Sequence, residues 1–196
     1  MAASALMTVM INAARKAGRS LSRDFGEVEN LQVSVKGPAN FVSAADDRAE
    51  EIIFRELRKA RPTYSFLMEE SGVFEGDDKD QRWIVDPLDG TTNFLHSVPL
   101  FTISIALERQ GQLVAGVVYN PITDELFSAE KGKGAYVNDR RLRVAGRRNV
   151  SDALITTGIP HLGRPGHAGF LKDLQTVMSE VVGVRRTGSA ALDLAW

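Results

Sequence analysis

The spacing of apolar residues predicts two helices in the first third of the chain. Within residues 3–25, apolar side chains recur every three or four positions, as they do along one face of a helix: Leu6, Val9, Met10, Ala13, Ala17 and Leu21. A second helix is predicted from about residue 44 to residue 61, where Pro62 ends it. Its inward side chains are expected to be Ile52, Ile53 and Leu57. The segment VSVKGPANFVSAADD between the helices is rich in turn-forming residues.

After Pro62 the pattern changes to that of β-strands. YSFLMEE is a short strand that ends in two acids, and RWIVD is a second strand. FTISIALERQGQLVAGVVYN predicts a hairpin around RQGQ. DELFSAE, GAYVN and RLRVA extend it as a meander, with a turn at Asn138 and Asp139.

From Ala153 onward, the pattern returns to alternating strand and helix. ALITTG and GVRRTG are predicted strands, and SAALDLAW begins a helix. Between the strands, apolar residues at helical spacing predict another helix: Phe170, Leu171, Leu174, Val177, Met178 and Val181. The order of elements predicts an α/β fold, an α+β layered sandwich of helices on a largely antiparallel sheet. We expect one domain over residues 1–196, with an α+β part to about residue 145 and an α/β part from about residue 150.

Composition narrows the function classes. The 24 Lys and Arg nearly balance the 25 Asp and Glu, for a net charge of −1, which gives no general reason to bind nucleic acid or an anionic membrane. No apolar run is long enough to cross a bilayer, and the first 21 residues resemble a helix more than a signal peptide. We therefore expect a cytoplasmic protein. The absence of cysteine excludes disulfides and cysteine-ligated zinc, so a metal would need carboxylate, carbonyl or imidazole ligands.

The segment WIVDPLDGTTNF places two acids at the end of an apolar strand. Pro87 stiffens the link between Asp86 and Asp89, and Gly90 lets the backbone approach an anion closely. Rigid paired carboxylates suit Mg²⁺, and the carbonyl of Leu88 is a further ligand candidate. A tight turn explains the same residues equally well, because Asp-Pro and Asp-Gly are common turn formers.

Three other segments carry candidate chemistry. Glu69 and Glu70 end a second strand, and they would add a carboxylate to the aspartates if the two strands are neighbours; alone, they are a solvated pair. Ser43 and Asp46 fit a helix-capping pattern, although Asp46 could also accept a hydrogen bond from a catalytic hydroxyl. Ser189 is either an ordinary N-cap or part of a helix start that faces a ligand oxygen.

A run of arginines follows the meander. It consists of Arg140, Arg141, Arg143, Arg147 and Arg148. Because no aromatic residues are interleaved, a solvated hairpin face is favoured over a nucleic-acid patch. The run is nevertheless the best starting point for a binding-module hypothesis.

The segments MEES, WIVDPLDGTTNF and RRTGSAALDLAW together resemble the inositol monophosphatase family of the bacterial type. The resemblance covers essentially the whole chain, and VKGPANFVSAADD is similar to the family's segment before its first metal ligand. It implies the layered α/β sandwich of the Mg²⁺-dependent, lithium-sensitive sugar phosphatases. By the same resemblance, two or three Mg²⁺ are expected, with ligands at Glu69, Asp86, the carbonyl of Leu88 and Asp89.

The resemblance also implies roles for the remaining motif residues. Thr91, with Asp46, matches the pair that orients the attacking water, and the N–H groups of Gly90 and Thr91 match phosphate contacts. Lys36 matches a lysine near a third, weaker metal position. The segment that contacts the sugar-alcohol ring is matched by Gly188, Ser189 and Ala190.

The function that the resemblance implies is hydrolysis of myo-inositol monophosphate or a similar small sugar phosphate, by a homodimer. A fructose-1,6-bisphosphatase or nucleotide-phosphate phosphatase of the same superfamily is the alternative. An interaction module for RNA or the transcription machinery is an alternative of another class. Family members carry a further aspartate, in a WD pair, beyond the LDLAW helix, whereas this chain ends at Trp196. We therefore expect the C-terminal half to be incomplete and the second metal site to be weak.

Overall fold

The computed structural model describes residues 4–27, 33–35, 41–161 and 163–196. Its helices are α1 (Ala5–Phe25), α2 (Ala44–Ala60), α3 (Thr91–Leu95), α4 (His167–Met178) and α5 (Ala190–Ala195), with a 3₁₀ turn at Val150–Asp152. The first six strands are β1 (Val33–Val35), β2 (Phe41–Ser43), β3 (Tyr64–Met68), β4 (Gly72–Phe74), β5 (Asp78–Asp89) and β6 (Thr102–Arg109). The other six are β7 (Gln112–Asn120), β8 (Glu125–Glu130), β9 (Gly134–Val137), β10 (Arg140–Arg141), β11 (Leu154–Thr156) and β12 (Gly183–Arg185).

Helices α1 and α2 form where the apolar spacing predicts them. The hydroxyl of Ser4 caps α1 by accepting a hydrogen bond from the N–H of Met7, at 3.1 Å. The two helices pack against each other, and an ion pair of 2.9 Å between Arg48 and Asp24 joins them. Their buried faces are built from small and aliphatic residues: Met10, Ala13, Ala17, Leu21, Ala45, Ala49, Ile53 and Leu57.

The main sheet has eight strands in the order β10-β9-β8-β7-β6-β5-β3-β4. Every neighbouring pair is antiparallel except β3 and β5, which are parallel. Helix α1 packs on β6 and β7, and α2 packs on β5. Alternate residues of the central strands fill the core beneath them: Phe66, Trp83, Val85, Ile103, Ile105, Leu107 and Val117. The parallel pair matters most for function, because the carboxyl ends of β3 and β5 lie at the same edge of the sheet.

The segment after the meander differs from its prediction. RLRVA, residues 141–145, was expected to be a strand, but its pairing with β9 stops at Arg141 and one further hydrogen bond, from the N–H of Leu142 to the carbonyl of Ala135; Val144 is 98% exposed. Strand β10 is the last strand of the sheet, so no neighbour on its outer side extends the pairing. Helix α4 ends at Met178, and Val181 therefore lies outside it.

Two short elements had no clear signal in the sequence. Strand β4 and helix α3 are three and five residues long, which is too short for a periodic pattern to register.

Strands β11 and β12 pair in parallel as a separate two-stranded sheet. In the part of the chain that the structure describes, no helix is both long and apolar enough to cross a membrane.

Candidate active site

The parallel pairing of β3 and β5 brings the first two predicted ligands together. Met68 pairs with Val85, and the N–H of Glu69 continues the ladder by donating to the carbonyl of Val85, at 3.1 Å. Glu69, directly after β3, and Asp86, within β5, therefore lie at the same edge of the sheet. The condition set by the sequence, that the two strands be neighbours, is met.

The carboxyl of Asp86 is strongly perturbed. Burial raises its pKa to about 9, and the negative charges of Glu69 and Asp89 and a hydrogen bond with Glu69 push it in the same direction. The N–H of Leu88 opposes the rise by donating to Oδ1 of Asp86, at 3.1 Å. Such crowding of acids is what a bound cation would relieve.

The Asp-Pro-Leu-Asp segment is a bulge within a strand. Strand β5 pairs with β6 on both sides of it, Asp86 opposite Ser104 and Asp89 opposite Thr102, and the register shifts between the two aspartates. The chain turns only at Gly90. A bulge re-aims side chains without ending the strand, so both acids remain attached to a rigid frame.

Gly90 and Thr91 are fixed by their surroundings. Gly90 has φ of +97°, and a Cβ there would lie 3.0 Å from the carbonyl oxygen of Leu100, so the position favours glycine. Helix α3 begins at the next residue, Thr91. The Thr91 hydroxyl donates to the carbonyl oxygen of Leu88, at 3.0 Å. The predicted catalytic hydroxyl and the predicted carbonyl ligand are therefore in direct contact.

Asp89 is joined to the start of α5. Its Oδ2 accepts hydrogen bonds from the Ser189 hydroxyl, at 2.5 Å, and from the N–H of Ala191, at 2.7 Å. Ser189 is also the N-cap of α5, accepting from the N–H of Leu192 at 3.4 Å, so the capping prediction is confirmed. Ser189 is fully buried, whereas Ala190 is exposed at the first position of the helix.

Asn93 is a residue that the sequence reasoning missed. Its side-chain amide donates to the carbonyl oxygens of Leu100, at 2.6 Å, and Thr187, at 2.8 Å. Gly188, with φ of +93°, packs so closely that a Cβ there would lie 2.7 Å from Nδ2 of Asn93. Only its place in the DGTTNF motif could have drawn attention to Asn93, because no local pattern predicts its contacts with Leu100 and Thr187.

Glu50 is a second residue that was missed. It lies on α2 four residues after Asp46, so the two share a face of the helix, and both side chains are buried. The carboxylate of Glu50 accepts hydrogen bonds from residues 70 and 71. An acid four residues after Asp46, on the buried face of the helix, was the sequence signal that could have identified Glu50.

Lys36, the residue predicted near a third metal position, lies outside the described residues.

The donor atoms at this edge suit a hard cation, although they do not form a ready-made cage. In the residues the structure describes, no three Asp, Glu or His side chains are close enough together to hold a metal ion. The pKa of Asp86 nevertheless responds to both Glu69 and Asp89. The two observations agree, because charge acts over a longer range than a coordination bond of about 2 Å. Carboxylates with an adjacent carbonyl are the oxygen ligands that Mg²⁺ takes.

Comparison with known proteins decides the family. Residues 3–196 match the model of the inositol monophosphatase family. The chain belongs to this family. The resemblance carried by the three sequence motifs is thereby confirmed.

Similar proteins agree on the fold. The inositol-1-monophosphatase of Mesorhizobium japonicum is 68% identical over 196 residues, which are all of this chain and 74% of that protein. The Nus factor SuhB of Escherichia coli is 38% identical over 191 residues, 97% of this chain and 72% of that protein. The crystal structure of the extragenic suppressor protein SuhB from Bartonella henselae superposes with a TM-score of 0.95 at 64% identity, covering 98% of this chain and 74% of that one. The predicted layered α/β fold is confirmed.

Proposed function

We propose that this member of the inositol monophosphatase family is a Mg²⁺-dependent phosphomonoesterase that hydrolyses myo-inositol monophosphate or a similar small sugar phosphate. The observation that carries the proposal is that burial and the nearby charges of Glu69 and Asp89 raise the pKa of Asp86 to about 9 where β3 and β5 pair. The family name and the similarity to an inositol-1-monophosphatase support the substrate class.

The residues at the sheet edge divide into three groups by role. Glu69, Asp86, Asp89 and the carbonyl of Leu88 would hold Mg²⁺. When bound, the cation neutralises phosphate charge and lowers the pKa of a water molecule. The rigid bulge of β5 keeps the acids in place, so little reorganisation is needed during the reaction.

The second group handles the water and the phosphate. The Thr91 hydroxyl, held at 3.0 Å from the Leu88 carbonyl, would orient the attacking water together with the buried Asp46. The N–H groups of Gly90 and Thr91 lie at the start of α3 and would donate to phosphate oxygens. In-line attack by water needs no covalent phosphoenzyme, which suits a chain without cysteine.

The third group would contact the sugar alcohol. Gly188, Ser189 and Ala190 lie beside Asp89 through the hydrogen bonds of Ser189 and Ala191. The fit of a ring hydroxyl there would set substrate choice. A bisphosphate or nucleotide substrate remains the alternative within the superfamily.

A panel of phosphate esters tests the proposal. Phosphate release is measured with and without Mg²⁺ on inositol 1-phosphate, fructose 1,6-bisphosphate and a nucleotide phosphate, with Asp86→Asn as the inactive control. We expect Mg²⁺-dependent release with inositol 1-phosphate preferred. A strong preference for the bisphosphate would overturn the proposed substrate. Phosphate release at the same rate with and without Mg²⁺ would overturn the proposed mechanism.

Three finer features remain predictions of the same proposal. We expect phosphate release to be inhibited by lithium, the protein to be a homodimer and its location to be the cytoplasm. Inhibition curves, light scattering and fractionation would test each of these separately.

A second candidate function is binding to RNA in the transcription machinery. The five arginines of residues 140–148 are all exposed, and similar proteins are named Nus factor SuhB. Replacing Arg140, Arg141 and Arg143 by Gln should abolish salt-dependent RNA binding. Replacing the exposed Arg55, Arg58 and Lys59 on α2 by Gln, which also removes three positive charges, is the matched control. Absence of RNA binding by the unmodified protein at low salt would remove this candidate.

A further inference from the structure

Glu50 is a buried acid whose hydrogen bonds, within the described part of the chain, all go to one turn. Its side chain is 6% exposed on α2. Oε2 accepts from the N–H of Glu70, at 2.9 Å, while Oε1 accepts from the N–H and the hydroxyl of Ser71, at 3.0 and 2.5 Å. The carboxylate therefore holds the two residues that directly follow Glu69.

The backbone is thus fixed on both sides of Glu69. On one side, the N–H of Glu69 donates to the carbonyl of Val85 in β5, at 3.1 Å. On the other side, the next two N–H groups are bound by Glu50 in α2. The side chain of Glu69 is itself exposed, so packing does not hold its position. Apart from its hydrogen bond with Asp86, its direction comes from the backbone that carries it.

The chemistry of Glu50 suits this role better than that of a neutral side chain. An ionised carboxylate is an acceptor at both oxygens, and hydrogen bonds to a charged acceptor are stronger than neutral ones. A glutamine would keep one acceptor but turn an NH₂ donor toward a backbone N–H. None of the ion pairs among the described residues includes Glu50. Its carboxylate instead interacts with the donors of residues 70 and 71.

We propose that Glu50 is a positioning residue that sets the carboxylate of Glu69 for divalent-cation binding by anchoring residues 70 and 71 to α2. This inference rests on the proposed function. Because Asp46 lies one turn earlier on the same helix face, α2 would fix both the acid of the water-orienting pair and the frame of Glu69.

Mg²⁺ titration of the intact chain tests the role. Glu50→Gln is compared with Glu51→Gln, an identical change at the neighbouring exposed acid. Calorimetry with Mg²⁺ alone should show an affinity about 10–100-fold weaker for Glu50→Gln, as for other residues that orient a metal ligand. In assays, kcat at low Mg²⁺ should fall and partly recover at high Mg²⁺, while KM for the phosphate ester changes little. Glu51→Gln should match the unmodified protein.

Ser71→Ala provides a second, milder variant. It removes one of the three hydrogen bonds and leaves both backbone contacts, so we expect a smaller loss of Mg²⁺ affinity than in Glu50→Gln. If Glu50→Gln does not fold, Ser71→Ala decides, and an unchanged affinity in that variant overturns the inference.

Two further outcomes separate this inference from the proposed function. A Glu50→Gln protein with a lower Tm but normal Mg²⁺ affinity would make Glu50 a purely structural residue. Failure of the unmodified protein to bind Mg²⁺ or release phosphate would instead remove the proposed function, and the inference with it.

Discussion

The Ser189 hydroxyl donates to Oδ2 of Asp89 over 2.5 Å, joining two side chains 100 residues apart in the sequence. The N–H of Ala191 adds a second bond to the same oxygen, at 2.7 Å. The amide of Asn93 forms a parallel link to the carbonyl of Thr187. The end of β5 and the start of α5 are therefore joined by hydrogen bonds, and a substitution in one of them should alter the stability of the other.

Ser189→Ala should lower the free energy of unfolding by about 1–3 kcal/mol, because it leaves a partly buried carboxylate oxygen of Asp89 with one fewer donor and removes the cap of α5. Urea denaturation measures the change. Ser151→Ala, at an exposed serine in the 3₁₀ turn, is the control and should be nearly neutral. Equal stability of the two variants would contradict the link described above.

Asp86→Asn should abolish Mg²⁺-dependent phosphate release while leaving the fold intact. In the metal-free protein, burial and the charges of Glu69 and Asp89 disfavour ionised Asp86, whereas Asn is neutral at every pH, so the metal-free variant should be no less stable than the unmodified protein. Circular dichroism and phosphate release are measured on the same preparation. Normal turnover by a folded Asp86→Asn protein would refute the assignment of Asp86 as a ligand.

The same residue predicts a pH dependence of stability. The pKa of Asp86 rises from 3.8 to about 9 on folding, so the folded state holds a proton that the unfolded state releases. This contribution is fully present below about pH 4 and is lost as the pH rises toward 9. The free energy of unfolding of chelator-treated protein, measured with urea, should therefore fall as the pH rises across this range. Asp86→Asn should make this fall with pH less steep. A slope unchanged by Asp86→Asn would show that another group is responsible.

Thr91→Ala should lower kcat by about a hundredfold or more and change KM little, because a hydroxyl that orients water acts chiefly in the transition state. Steady-state kinetics with Mg²⁺ measure both constants. Thr92→Ala removes the neighbouring exposed hydroxyl and serves as the control. If KM alone rises, Thr91 is a substrate-binding residue instead.

Asp46→Asn should lower kcat as Thr91→Ala does, if the two residues act as a pair. The matched control is Asp47→Asn, at the exposed neighbour in the same first turn of α2. A role in helix capping alone predicts a different result for Asp46→Ala: stability would fall by about 0.5–2 kcal/mol, and the folded fraction would keep its normal kcat.

Local chemistry determined much of the fold. The apolar spacing of α1 and α2 follows from helix geometry, and the alternation in β6 and β7 follows from strand geometry, so both were predicted from the sequence alone. The motif around Asp86 likewise carries its chemistry in adjacent residues, and three motifs together identified the family correctly.

The sequence left open every relationship that depends on which strands are neighbours. It could state that Glu69 and Asp86 would meet only if β3 and β5 adjoin, and the parallel pairing of those strands decided the question. Hydrogen bonds such as Glu50 to Ser71 and Ser189 to Asp89 join residues 21 and 100 positions apart, and no local pattern records them. The physical reason is that backbone periodicity is a local property, whereas the packing of a helix on a sheet edge is set by the whole core. The sequence therefore determined which residues are candidates for the chemistry, and the tertiary structure decided which of them hold one another in place.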